Sequence, residues 1–158
     1  MKPATVAQLK KELKFRSSDE LEELCLRLAK FKKENKELLT YLLFQSHNEE
    51  AYIESVKQVI DDGFSTINTN SYYYMKKTVR KVLRMVKKYI RYSKKKETEV
   101  ELLLYFCEQL KGLRPSIKRN KTLTNLYERQ LTLVKKRITE LHEDLQHDYT
   151  LEIEELNL

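Results

Sequence analysis

The chain has 158 residues and a formal net charge of +7, with 35% of its residues charged but only two Gly and two Pro. So little Gly and Pro excludes a fold built on tight hairpin turns, and long helices with short links fit the length of one domain. No apolar run reaches the length of a membrane span and the N-terminus lacks a signal-peptide core, which predicts a cytoplasmic protein with reduced thiols.

In chain order, Pro3 and Thr5 precede VAQLKKEL, a short helix ending near Phe15. Ser17 with Glu20 three residues later forms a capping box, and Asp19, Glu22 and Glu23 add negative charge to the first turn. Leu21, Leu24, Cys25, Leu28, Phe31, Leu38, Leu39, Leu42 and Leu43 keep helical spacing to about Ser46, as one kinked helix or two. The stretch LRLAKFKKENKELLTYLLF, from Leu26 to Phe44, resembles bacterial helical proteins of uncharacterised role; the likeness covers a small part of the chain and implies no function. Asn48 opens a further helix bearing Tyr52, Ile53, Val56, Val59 and Ile60, which Gly63 is expected to end in a left-handed cap. FSTINTN at 64–70 reads as the clearest loop.

Ser71 begins a basic helix that runs to about Ser93. The next helix, from Thr98 to Lys111, is closed by Gly112. Its LLLYF run at 102–106 is apolar on every side and predicts a central position. Arg114-Pro115 breaks the chain, and Thr122 caps a last helix. There Tyr127, Leu131, Val134, Ile138, Leu141 and Leu145 form a heptad-like seam suited to packing or self-association. Tyr149, Ile153 and Leu156 continue it with shifted phase, and the acidic residues 149–158 are expected to fray. The fold class is therefore all-α: a single-domain bundle of six to seven helices over residues 1–158. A short armadillo- or HEAT-like stack of helical hairpins is the alternative.

Catalytic chemistry has little to stand on. Gly63 and Gly112 stand alone at helix ends, where no phosphate-cradling loop can form, and no cofactor motif is present. Cys25 and Cys107 lie on apolar stripes without a neighbouring His to form a thiolate, so both are expected to be buried core residues. His142 and His147 are five residues apart, which does not bring two ligands onto one helix face, and a solvated acidic helix end explains them better than a metal site. The expectation is a protein that is not an enzyme.

Charge distribution is more informative. Residues 63–96 hold 11 basic residues and no acidic one. Residues 1–62 hold 11 basic and 12 acidic, and residues 122–158 hold 4 and 8, so the positive excess is concentrated in one stretch. Wound as a helix, Lys77, Arg80, Lys81, Arg84, Lys87, Lys88, Arg91, Lys94 and Lys95 fall within an arc of about 140°. Met75, Val79, Val82, Leu83, Val86, Tyr89 and Ile90 lie opposite, and Tyr74, Met85 and Tyr92 sit on the border. This face suits sequence-nonspecific binding of DNA or RNA, with the nine cations on phosphates and Tyr74 and Tyr92 as candidate stacking groups. The competing readings are a scaffold module that docks an acidic protein and a merely solvated surface. Lys118, Arg119 and Lys121 extend the patch if the fold brings them near.

Overall fold

A computed structural model describes residues 1–158, which are all-helical with no strand. The single domain expected from length resolves into two compact units, residues 1–44 and 45–158.

The first unit holds α1 (Val6–Leu13), α2 (Ser18–Phe31) and α3 (Lys33–Thr40), followed by a π-helical turn at Tyr41–Gln45 that crosses into the second unit. Thr5 and Ser17 each close a capping box, with Gln8 and Glu20 respectively. The apolar stripe from Leu21 to Leu43 is divided between two helices because Lys32 is extended (φ −139°, ψ 146°). Asn35 Nδ2 donates to the Leu28 carbonyl at 2.8 Å, satisfying one of the acceptors that the end of α2 leaves open. Ala29 and Tyr41 are the buried apolar side chains here, whereas Leu24, Leu28 and Phe31 are exposed. Cys25 is exposed too, against expectation, because the stripe it shares has little to pack on within this small unit.

The second unit contains α4 (Glu49–Ser65), α5 (Tyr72–Ser93), α6 (Lys96–Lys111), a 3₁₀ turn (Ile117–Arg119), α7 (Lys121–Ile138) and α8 (Glu143–Leu156). The eight α-helices exceed the six or seven expected because the chain breaks at Lys32 and again between Ile138 and Glu143. α6 packs against α4, α5, α7 and α8, the central place that its all-round apolar sequence requires. Leu102, Leu103, Leu104, Phe106, Cys107 and Leu110 are all buried.

Four sequence expectations are corrected in this unit. Gly63 does not cap α4: the helix continues to Ser65, and no Gly has positive φ. A Cβ on Gly63 would stand 2.6 Å from Val82 Cγ2, so the glycine serves close packing of α4 on α5. The cap of α7 is Asn120, whose Oδ1 accepts from the Leu123 amide at 3.1 Å, and not Thr122. The heptad-like seam is interrupted at Thr139. Its members Tyr127, Leu131, Val134 and Ile138 are buried and Leu141 and Leu145 half-buried, so the seam is not open for a second copy. The segment read as fraying is helical to Leu156, with Tyr149, Ile153 and Leu156 buried. The chain passes Pro115 through a cis Arg114-Pro115 bond.

Hydroxyl groups of tyrosine tie this unit together. Tyr52 donates to the Tyr89 carbonyl at 2.7 Å, Tyr72 to the Ser116 carbonyl at 2.7 Å and Tyr105 to Asp61 Oδ1 at 2.7 Å. Tyr127 donates to the Leu156 carbonyl at the end of α8. Lys111 Nζ reaches the Glu155 and Asn157 carbonyls at 2.8 and 3.0 Å, capping the same end. No helix is long and apolar enough to cross a membrane.

Candidate functional site

α5 exists as a helix despite its charge because one face is well buried. Ser71 caps its start, accepting from the Tyr74 amide at 3.4 Å, and no Gly or Pro interrupts the next 22 residues. Met75, Val79, Val82, Leu83, Val86 and Ile90 are buried. Each such side chain contributes about 1.5–3 kcal/mol, whereas each like-charge pair along the outer face costs only a few tenths of a kcal/mol. Burial wins, and the cations are carried outward.

On that outer face Lys77, Arg80, Lys81, Arg84 and Arg91 are exposed, and Lys87 and Lys88 half-buried. From Lys77 to Arg91 they follow the axis for about 21 Å at 1.5 Å per residue. Arg80, Lys81, Arg84, Lys87 and Arg91 form no ion pair. The structure thus brings seven of the nine predicted cations onto one helix.

The other two leave it. Lys94 ends α5 in the left-handed region (φ 60°, ψ 7°), with its amide on the Ile90 carbonyl at 2.9 Å. Lys95 then starts α6, and its ammonium lies 3.4 Å from Glu49 Oε2. The Thr98 hydroxyl donates to Glu49 Oε1 at 2.7 Å, and the Ser93 hydroxyl donates to the same oxygen. Glu49 therefore joins the start of α4 to the turn between α5 and α6, and it neutralises Lys95 there. The arc drawn from sequence overran the helix by two residues, because a lysine takes the left-handed cap that glycine usually occupies.

The tyrosines are also redistributed. Tyr92 is only 9% exposed, with its ring edge-on to Tyr89 at 5.9 Å and 82°, so it is part of the packing and not a surface for bases. Tyr74 is 47% exposed and its neighbour Tyr73 58%. Their rings meet edge to face at 5.4 Å and 76°, and Lys77 Nζ stands 4.5 Å from the Tyr73 ring centroid. As hydrogen-bond donor and as charge, the Lys77 ammonium lowers the Tyr73 phenol below its ordinary value. Sequence reasoning named Tyr73 only as a member of the YYY run. Tyr73 lies four and seven residues before Lys77 and Arg80, in the middle of the cationic arc, and that spacing was the available signal. Tyr72 anchors this end: its bond to Ser116 brings the segment carrying exposed Lys118, Arg119 and Lys121 to the start of α5.

The remaining chemistry-bearing residues do not assemble. His47, His142 and His147 are exposed and separate. Burial pushes the Cys107 thiol up to about 12, which leaves it inert as a nucleophile. A groove of about 500 Å³ between α4, α6 and α8 is lined by Glu101, Glu108, Glu152, Tyr105 and Tyr149, with Glu101 held by Lys57 Nζ at 2.9 Å. Burial, then the hydrogen bond to Asp61, raises the Tyr105 phenol to about 12. This groove is acidic where the α5 face is basic. No family model, curated protein or solved structure matches the chain.

Proposed function

We propose that this protein is a non-enzymatic binding module that holds nucleic acid through the outer face of α5 without regard to sequence. Lys77, Arg80, Lys81, Arg84, Lys87, Lys88 and Arg91 contact phosphates, and the release of condensed counterions supplies most of the affinity. The observation that carries this reading is an exposed row of cations with no acidic residue anywhere between residues 63 and 96. Solvated helices ordinarily intersperse Glu with Lys, as this chain does in KKENKE at 32–37. Lys94 and Lys95 stand beyond the helix end and add less.

The test is fluorescence anisotropy of labelled oligonucleotides across a salt series. With about six phosphates neutralised on a duplex, log K is expected to fall with log salt at a slope near −5. Replacing Arg80, Arg84 and Arg91 with Glu is expected to weaken binding more than about tenfold and to flatten that slope. Absence of binding at low salt overturns the reading. Retention of polyglutamate in that case would favour an acidic protein as the partner of the same face.

A further inference from the structure

We infer that the nucleic acid this protein prefers is single-stranded, and that its unpaired bases stack on Tyr73 and Tyr74 at the start of α5. The inference rests on the phosphate-binding role of α5 and adds the class of strand. Of the ten tyrosines, these two alone are exposed, and the other eight are buried or half-buried. Tyr52, Tyr72, Tyr105 and Tyr127 each place a hydroxyl on a carbonyl or carboxylate of another segment, and Tyr149 lies 3.4 Å from Glu97 Oε1. Tyr73 and Tyr74 make no such tie, so the packing of the unit does not account for them.

Their position is the second argument. The cations of α5 begin within one turn, at Lys76 and Lys77, and the Tyr72–Ser116 bond ties the segment carrying Lys118, Arg119 and Lys121 to the same end of the helix. An aromatic pair at the end of a cationic row is an arrangement that suits a flexible strand, with phosphates held beside the stacked bases. A base that takes the face of Tyr73 displaces Lys77 from the ring and frees its ammonium for the adjoining phosphate. A duplex keeps its bases stacked inside and offers nothing to these rings.

The experiment uses the full chain and three labelled probes of about 15 nucleotides: an oligothymidylate strand, an abasic strand of equal length and a duplex. Wild type is expected to bind the thymidylate strand tightest. Changing Tyr73→Ala together with Tyr74→Ala is expected to weaken that binding about tenfold or more, leaving the abasic strand and the duplex unaffected, while the paired Phe substitutions preserve binding. Circular dichroism checks that the variants remain helical. If the abasic strand binds with steep salt dependence but the alanine pair changes nothing, or the duplex binds tightest, the stacking inference is overturned and the phosphate-binding face stands. If neither strand nor duplex binds at low salt, both fall together.

Discussion

Lys94 occupies a backbone conformation that costs an L-residue roughly 1 kcal/mol and costs glycine nothing. Its amide already makes the helix-ending bond to Ile90, so a substitution there changes conformational cost with little change in contacts. Lys94→Gly is expected to stabilise the protein by about 0.5–1 kcal/mol, read as a higher denaturant midpoint with unchanged slope. A value below wild type would mean that the lysine side chain supplies an interaction that outweighs its strain. Sequence could name this residue but not its role, because the surrounding run of lysines reads as a continuation of the helix. The same holds for Tyr92 and Tyr74. Both lie on the border of the helical arc, and only the packing around α5 decides that one is covered and the other open.

At the scale of elements, caps were the most legible signals. Ser17, Asn48 and Ser71 all start helices as their side chains imply, since each accepts a hydrogen bond from an amide in the first turn. Gly63 was misread for a physical reason: glycine serves both where backbone must turn left-handed and where two backbones approach closely, and sequence does not tell these apart. Gly63→Ala tests which applies. A helix-interior alanine gains about 1 kcal/mol in propensity, but the new Cβ meets the stiff Val82 side chain at 2.6 Å. Overpacking typically costs about 1–3 kcal/mol, so the variant is expected to melt lower than wild type. A higher melting temperature would show that α4 and α5 can separate slightly at little cost.

Over the whole molecule, the second unit keeps its charges apart. The basic face belongs to α5, whereas acidic α8 packs on α6 and α7, so the C-terminal acids do not cover the cations. The seam on α7 was visible in sequence, but its burial against neighbouring helices was not, because spacing gives the face and not the partner. Separation has a cost on the acidic side: partial burial, then the charges of Glu101 and Glu108, raise Glu152 above its ordinary value of 4.5. A carboxyl raised in the folded state disfavours folding above that raised value, and the penalty vanishes below the unfolded value. Glu152→Gln is therefore expected to stabilise the protein at neutral pH, with the difference shrinking to nothing as pH falls below 4.5. Equal stability of the two proteins across that range would assign no penalty to the groove.

The placing of the phenols also makes the molecule an optical reporter of its own surface. Without tryptophan, its near-ultraviolet absorption comes chiefly from ten tyrosines. Burial raises the phenols of Tyr105, Tyr127 and Tyr149, whereas Lys77 lowers that of Tyr73. Phenolate absorption on mild alkalinisation therefore reports Tyr73 ahead of those three, and a ligand that draws Lys77 away from it delays that signal.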